Sequence, residues 1–188
     1  MNLLHHWICN SGYWKRTMET ELLPWALEGV DLGADVLEIG SGYGVATVIL
    51  RTRVAHLTCL EIDSGLVHAL SRRMVRTNVT VTHGDATRLP FRGKSFSAAV
   101  CFTMLHHVPT PAPQDRVLAE VARVLRPGGA FAGTDSLTSP LFRIIHLGDT
   151  LTPVDLRTLP SRLESAGFKE TAIDRRGQVF RFRATRGT

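Results

Sequence analysis

Glycines and acidic residues follow three apolar segments of the chain, at the points where the segments end. The first segment, Val36–Ile39, suits a buried strand, and glycines follow it at alternate positions: Gly40, Gly42 and Gly44. Glycines there let the backbone turn sharply and let a ligand approach without side chains in the way. The amides at the start of the next helix would point towards that ligand. The pattern therefore predicts a ligand-binding turn between a strand and a helix.

The second segment, Leu57–Asp63, predicts a strand that ends in carboxylates. Glu61 in that position could accept hydrogen bonds from both hydroxyls of a ribose. Asp63 or Ser64 is then the candidate for the cap of the following helix. The alternative is that both carboxylates are ordinary helix caps.

The third segment, Val79–Pro90, predicts a strand followed by Gly84, Asp85 and Ala86. Asp85 could accept a hydrogen bond from an adenine amino group, and the Ala86 amide could meet a ring nitrogen. An aspartate that only forms a turn after glycine is the alternative. Because ligands bind at the carboxyl edge of an α/β sheet, Glu61 and Asp85 together predict an adenosine site.

The elements that must position these residues alternate along the chain. Short β-rich runs are separated by stretches with helical spacing, which indicates crossovers between parallel strands and an α/β sheet covered on both faces. The expected strands begin at Val36, Leu57, Val79, Phe96 and Gly129. A turn at Pro127-Gly128-Gly129 is expected to lead into the last of them, Ala130–Thr134.

The two ends of the chain differ from this middle part. Residues 1–30 are expected to form one or two helices that cover the site, and residues 31–188 to form a single domain. Pro153 is expected to start a helix that runs to about Gly167. The runs Phe168–Asp174 and Gln178–Ala184 then predict a hairpin that gives the sheet an antiparallel edge.

The composition fits a globular protein, with 44% apolar and 21% charged residues in a chain of 188. No apolar run approaches the ~20 residues that span a bilayer, and polar residues interrupt the N-terminus, so a cytoplasmic protein is expected. Cys9, Cys59 and Cys101 are widely separated, which favours reduced core residues over a disulfide framework or a zinc site. The net charge of +5 comes largely from arginine clusters, which we interpret as solvated surface.

Five motifs in sequence order resemble those of the class I S-adenosylmethionine-dependent methyltransferases: VLEIGSGYG, LEID, GDA, FSAAVCFTMLHHVP and EVARVLRPGG. The chain is most similar to the small-molecule branch that includes the quinone-biosynthesis methyltransferases. The match covers about Asp35 to Thr134, and the later AGF turn with its hairpin also fits. The resemblance implies an α/β, Rossmann-like three-layer sandwich. Its seven-stranded, mostly parallel sheet would have the order 3-2-1-4-5-7-6, with strand 7 antiparallel.

The resemblance also implies a set of residues around S-adenosylmethionine and its product S-adenosylhomocysteine. These are Glu38, Gly40, Ser41, Gly42, Gly44, Glu61, Ile62, Asp85, Ala86, Cys101 and Phe102. Glu38 and the glycine turn would surround the methionine and ribose, and Ile62 would lie against the adenine face. The backbone around Cys101–Thr103 would meet the methionine ammonium group. Glu61 departs from the family, whose members often have aspartate there, but its longer carboxylate should still reach.

Methyl transfer from a sulfonium is an in-line displacement that depends mainly on orientation, which can lower the barrier by ~7–11 kcal/mol at best. A general base is optional. His106 and His107 are candidates because they follow the fourth strand and histidine titrates near neutrality. The alternative is that they pack or cap the following turn. His5, His6 and the other histidines are weaker candidates. His5 and His6 resemble a metal pair only superficially, since adjacent residues on a helix point apart, and no metal ion is expected.

The acceptor is expected to meet the N-terminal segment and Asp135–Thr152. Trp7, Tyr13 and Trp14 could cover a small apolar or aromatic acceptor, although they are equally plausible as core residues. Tyr43, bulky within the glycine turn, could shape access. A partner subunit in a homodimer could complete the pocket.

Three other functions fit parts of this pattern. A nicotinamide-dependent dehydrogenase also uses a glycine turn and a ribose acid, but Glu38, the GDA motif and the terminal hairpin argue against it. A methyltransferase acting on RNA or another nucleic acid would suit the basic charge. Those acting on exocyclic base amines typically carry a Pro-Pro-aromatic element where this chain reads FTMLHH. A non-catalytic S-adenosylmethionine-binding module is the third.

Overall fold

The computed structural model describes Trp7 and residues 11–188. Its seven strands are β1 (Asp35–Ile39), β2 (His56–Glu61), β3 (Val79–His83), β4 (Phe96–Phe102), β5 (Leu125–Ser136), β6 (Phe168–Arg176) and β7 (Val179–Arg186). Its α-helices are α1 (Gly12–Thr17), α2 (Leu23–Ala26), α3 (Val45–Leu50), α4 (Ser64–Arg73), α5 (Pro111–Val124), α6 (Pro140–Ile145) and α7 (Leu159–Ser165). A π-helical turn, Met18–Leu22, joins α1 to α2. Short 3-10 turns cover Ala86–Arg88 and Leu105–His107.

The strands form one sheet in the order β3-β2-β1-β4-β5-β7-β6. Strands β1 to β5 pair in parallel, and β7 runs antiparallel to both of its neighbours, β5 and β6. The expected Rossmann-like fold and strand order are therefore confirmed. Within Trp7 and residues 11–188, we find no helix whose length and apolar character would let it cross a membrane.

The sheet separates two hydrophobic layers, as alternation along its central strands requires. In β1, Val36 packs on one face with Leu57 and the helical residues 18–26, whereas Leu37 packs on the other face with Phe131. Both faces of β1 are thus covered, which is typical of a parallel sheet between helical layers. This burial fixes the carboxyl ends of β1, β2 and β4 at one edge of the molecule.

Two sequence expectations about element ends are wrong. The helix expected from Pro153 begins only at Leu159. Val154 is buried in the core, and the Asp155 carboxylate accepts a 2.9 Å bond from the Arg157 amide. These contacts hold the preceding residues in a turn, because a local carboxylate-to-amide bond competes with helix formation.

The fifth strand is longer than the sequence predicts. It begins at Leu125, where Leu125 pairs with Phe96, and it includes the Pro-Gly-Gly segment instead of starting after it. The register shifts between Phe96 and Ala98. This irregularity accommodates Gly128, whose φ is +78°, within a paired region.

The N-terminal helical segment, Gly12–Ala26, packs against the same face of the sheet as Val36. Met18, Leu22, Leu23 and Ala26 are buried there. Arg181 on β7 also holds the segment, through bonds of 2.5 Å to the Trp25 carbonyl oxygen and 2.8 Å to the Glu28 carboxylate. Residues 12–26 are thus helical, and a turn follows at residues 27–29. Residues 1–6 and 8–10 of the segment expected to be helical lie outside the described residues.

Candidate functional site

The glycine turn follows β1 as expected, and all three of its glycines have positive φ. The values are +70° for Gly40, +51° for Gly42 and +72° for Gly44. A side chain at Gly40 would collide with Met104, and one at Gly44 with Leu70. A β-carbon at Gly42 would meet nothing within 4 Å. Two of the glycines are therefore required by packing, and Gly42 presents bare backbone to open space.

The Glu61 carboxylate at the end of β2 is held by backbone amides. Its Oε2 accepts a 2.8 Å bond from Gly42, and its Oε1 accepts bonds of 2.9 Å from Ile62 and 3.0 Å from Asp63. Glu61 is only 7% exposed. The acid is therefore fixed before any ligand binds, while Ile62 beside it is 66% exposed.

Two other carboxylates cap local structure. Asp63 Oδ1 accepts bonds from Gly65 and Leu66, which makes Asp63 the cap of α4 in place of Ser64. Asp85 Oδ1 accepts a 2.8 Å bond from the Thr87 amide and so begins the turn Ala86–Arg88. Asp85 therefore forms this turn through its Oδ1. This bond leaves its other carboxylate oxygen, Oδ2, unused.

Glu38 lies one residue before the end of β1 and is 2% exposed. It accepts bonds from Thr47 Oγ1 at 2.6 Å and from Cys59 Sγ at 3.2 Å. Burial raises the pKa of Glu38 to about 7, above its ordinary value of 4.5. The thiols of Cys59 and Cys101 are both buried and free, and burial raises the pKa of each. Cys9 lies outside the described residues, as do His5 and His6.

The ends of β1, β2 and β4 and the residues after β3 open into one cavity of about 580 Å³, a volume in the range of small-ligand sites. The predicted site residues that line it are Glu38, Gly40, Ser41, Gly42, Tyr43, Glu61, Ile62, Asp85, Ala86, Phe102, His107 and Trp14. Ser41 Oγ is buried and has no hydrogen-bond partner in the described part of the chain. A buried hydroxyl without a partner is costly, so it marks a place for a polar ligand group.

Five predicted site residues are not part of the cavity wall that the described residues form. Gly44 and Cys101 lie behind it, and His106 is buried. Trp7 is 72% and Tyr13 80% exposed. Tyr13 turns outward because adjacent residues on a helix point about 100° apart, and its neighbour Trp14 faces the cavity.

The chain after β4 adopts a strained conformation at the cavity wall. Thr103 has φ of +50°, which is uncommon for a β-branched residue. Its amide donates a 2.7 Å bond to the Thr134 carbonyl oxygen, which holds the turn in place. Such strain often marks functional backbone. Thr103 ends the segment Cys101–Thr103, whose backbone the family resemblance implies to lie beside the methionine ammonium group.

Behind the cavity, three imidazoles meet a buried carboxylate. Asp135 is completely buried. Its Oδ1 lies 2.5 Å from His106 Nδ1, and its Oδ2 accepts a 3.1 Å hydrogen bond from the His106 amide. His106 Nε2 lies 3.2 Å from His146 Nε2, and burial lowers the pKa of His146. His107 lines the cavity beside them. Sequence analysis did not select Asp135, although an acid in an otherwise apolar strand is a usable signal, and ranked His146 low.

The fold agrees with comparisons to known proteins. A family model described as a methyltransferase domain matches residues 37–133. The chain therefore belongs to the methyltransferase domain family.

Two curated relatives and one solved structure illustrate the similarity. Fatty-acid O-methyltransferase of Mycolicibacterium smegmatis is 37% identical over 132 residues, which cover 69% of this chain and 46% of that protein. Demethylmenaquinone methyltransferase of Mycolicibacterium paratuberculosis is 34% identical over 118 residues, covering 62% and 45%. The chain thus spans about half the length of the curated relatives it matches. Phosphoethanolamine N-methyltransferase 2 of Haemonchus contortus, solved with S-adenosyl-L-methionine, has a TM-score of 0.77 at 13% identity, covering 100% of this chain and 61% of that one.

Proposed function

We propose that this chain transfers a methyl group from S-adenosylmethionine to a small acceptor of apolar or aromatic character. The observation that carries the proposal is one cavity that joins the Gly42–Glu61 contact to the side chains of Trp14, Tyr43 and His107. One end of this cavity suits a nucleotide, and the rest of its wall is mainly apolar and partly aromatic. A cavity of this kind could hold two substrates side by side for a group transfer.

The residues of the first end fit the cofactor by their chemistry. Glu61 presents a fixed carboxylate for the ribose hydroxyls, and Ile62 an exposed apolar face for the adenine. Ala86 and the second oxygen of Asp85 are available for the adenine edge. Ser41 Oγ, buried without a partner among the described residues, fits a polar group of the methionine part. When bound, S-adenosylmethionine supplies a methyl group that is activated by the positive sulfur.

The other residues of the wall would orient the acceptor and exclude water. Trp14 and Met18 come from the N-terminal helical segment, and Tyr43 from the glycine turn. Of the two candidate bases, His107 is the one that lines the cavity, so it is placed to take a proton from an acceptor. His106 lies behind it, held by Asp135.

The aromatic residues of the arginine-rich segment at residues 175–186 give no support to a nucleic-acid substrate. Phe180 and Phe182 are both fully buried and pack with Phe131 in the core. They therefore offer no stacking surface for bases, which single-stranded nucleic-acid sites generally use.

A labelled-methyl assay against fractionated cell extract tests the proposal, with Trp14→Ala and Tyr13→Ala as a matched pair. We expect wild-type protein to label a small-molecule fraction. Trp14→Ala should lower that labelling about tenfold at low acceptor concentration, and Tyr13→Ala should leave it unchanged. Labelling of RNA alone would contradict the proposal. Persistent absence of labelling, with S-adenosylhomocysteine still bound, would favour the non-catalytic module.

A further inference from the structure

We propose that His106, His107 and His146 bind one divalent transition-metal ion, and that Zn²⁺ is the ion their chemistry fits best. Each offers a nitrogen, and these three atoms all lie within 4.8 Å of one another. Sequence analysis predicts no metal ion. His146 is 40 positions from His106, and only the fold brings the two together.

The tautomers of His106 and His146 are set by groups that can only accept a hydrogen bond. His106 Nδ1 lies 2.5 Å from the Asp135 carboxylate, and His146 Nδ1 lies 2.8 Å from the Phe142 carbonyl oxygen. Each Nδ1 is therefore the protonated nitrogen, and each Nε2 presents a lone pair when the ring is neutral. Metal-binding histidines are usually oriented in this way, by a carboxylate or a carbonyl on the other nitrogen.

The spacing of the two lone pairs suits a shared ion. The Nε2 atoms of His106 and His146 lie 3.2 Å apart. Two nitrogens bound tetrahedrally to zinc at about 2.0–2.1 Å are separated by about 3.3 Å. Two neutral imidazoles facing each other through lone pairs would repel, so this spacing requires either a proton on one Nε2, which would make the contact an N–H···N hydrogen bond, or a cation bound by both.

The charge of the cluster points the same way. Asp135 is completely buried, and His106 is its one ion-pair partner in the part of the chain that the structure describes. A buried carboxylate needs a compensating positive charge nearby. A divalent ion bound by the two rings would supply that charge, as would one proton shared by them.

His107 gives the site an open side. It is partly exposed and lines the cavity, whereas His106 and His146 are 2% and 4% exposed. The ligand nitrogen of His107 lies within 4.8 Å of those of His106 and His146, so the three imidazoles form one set beside the cavity. Zinc held by three protein ligands with one open position is the arrangement of catalytic sites. The fourth ligand would be water or an oxygen of the acceptor, and water bound there would take over the proton-accepting role that His107 has without the ion.

Titration of chelator-treated, dialysed protein with Zn²⁺ and, separately, Co²⁺ tests this site. We expect one Zn²⁺ per chain by calorimetry, and the intense visible absorption of tetrahedral Co²⁺. His146→Gln and His107→Gln should each remove the one-to-one event. Asp135→Asn, where it remains folded, should weaken binding about 10- to 100-fold through His106.

Control variants address metal binding elsewhere on the chain. His68→Gln, on the exposed face of α4, and the double variant His5→Gln/His6→Gln should bind Zn²⁺ as wild type does. Thermal unfolding without metal checks that every variant is folded. Absence of one-to-one binding in wild type, or binding that His107→Gln and His146→Gln leave unchanged, would overturn the proposal. In the first case the shared proton would be the correct account.

Discussion

The Glu61 Oε2 atom accepts a 2.8 Å hydrogen bond from the amide of Gly42, 19 residues earlier in the chain. This bond ties the end of β2 to the glycine turn after β1. The strands are hydrogen-bonded neighbours, so the contact joins two rigid parts of the sheet edge. The acid and the bare backbone therefore form one preorganised surface at the wall of the cavity.

Replacement of Glu61 by glutamine should weaken S-adenosylhomocysteine binding about 10- to 100-fold, since hydrogen bonds to charged groups contribute roughly 1.5–3 kcal/mol. Glutamine keeps the size of the side chain but has one acceptor oxygen for three amides and the ribose. Calorimetry measures the change. Glu164→Gln, on the exposed face of α7, is the matched control and should bind as wild type does. Equal affinities for the two variants would contradict the role of Glu61.

Replacement of Gly42 by alanine should reduce cofactor affinity more than it reduces stability. The added methyl group meets no protein atom within 4 Å, so the fold bears only the strain of a positive φ, roughly 1–2 kcal/mol. The methyl group would, however, occupy space against which the cofactor is expected to lie.

Gly177→Ala is the control for this change. Gly177 has φ of +58°, lies in the β6–β7 turn, and also has open space at its β-carbon position. Both variants should lose similar stability in thermal unfolding, and only Gly42→Ala should lose S-adenosylhomocysteine binding. A parallel loss of binding in Gly177→Ala would show that strain alone explains the effect.

The stability of the unliganded protein should depend on Glu38 between about pH 4.5 and pH 7. The folded-state pKa of Glu38 is raised by burial to about 7, from an unfolded value of 4.5, so the folded chain binds the extra proton in this window. The free energy of unfolding should therefore be highest below pH 4.5, as far as this group is concerned, and decline as pH rises towards 7. The difference should be roughly 3 kcal/mol.

Urea unfolding, followed by tryptophan fluorescence at several pH values, measures this contribution. Glu38→Gln stays neutral at every pH and should flatten the decline, whereas Glu164→Gln should retain it. Identical pH profiles for wild type and Glu38→Gln would contradict the raised pKa.

Arg181 should anchor the N-terminal helical segment. Its guanidinium bonds the Trp25 carbonyl oxygen, Glu28 and Asp174 and lies 5.2 Å from the centre of the Trp25 ring. Arg181→Met keeps the apolar stem and should cost about 1–3 kcal/mol in urea unfolding. Arg157→Met is the control. Arg157 is 89% exposed and pairs with nearby Asp155, so its loss should cost under about 0.5 kcal/mol. Equal losses would show that Arg181 has no anchoring role.

The parts of the site that follow strand ends could be predicted from the sequence, because parallel strands necessarily bring their carboxyl ends to one edge. Glu61 and the glycine turn are examples, and so is the strand order that the family motifs imply. Contacts between distant segments could not be predicted. Asp135 meets His106 only because β5 lies beside β4, and His146 joins them only through the position of α6. The sequence predicts Trp14 and Tyr13 equally as pocket residues. Only the orientation of α1 about its axis decides that Trp14 faces the cavity and Tyr13 the solvent.

Calorimetric titration with S-adenosylhomocysteine, beside a parallel titration with nicotinamide adenine dinucleotide, tests the central claim most directly. We expect one S-adenosylhomocysteine per chain and no heat of binding from the dinucleotide. Binding of the dinucleotide, without binding of S-adenosylhomocysteine, would contradict the account.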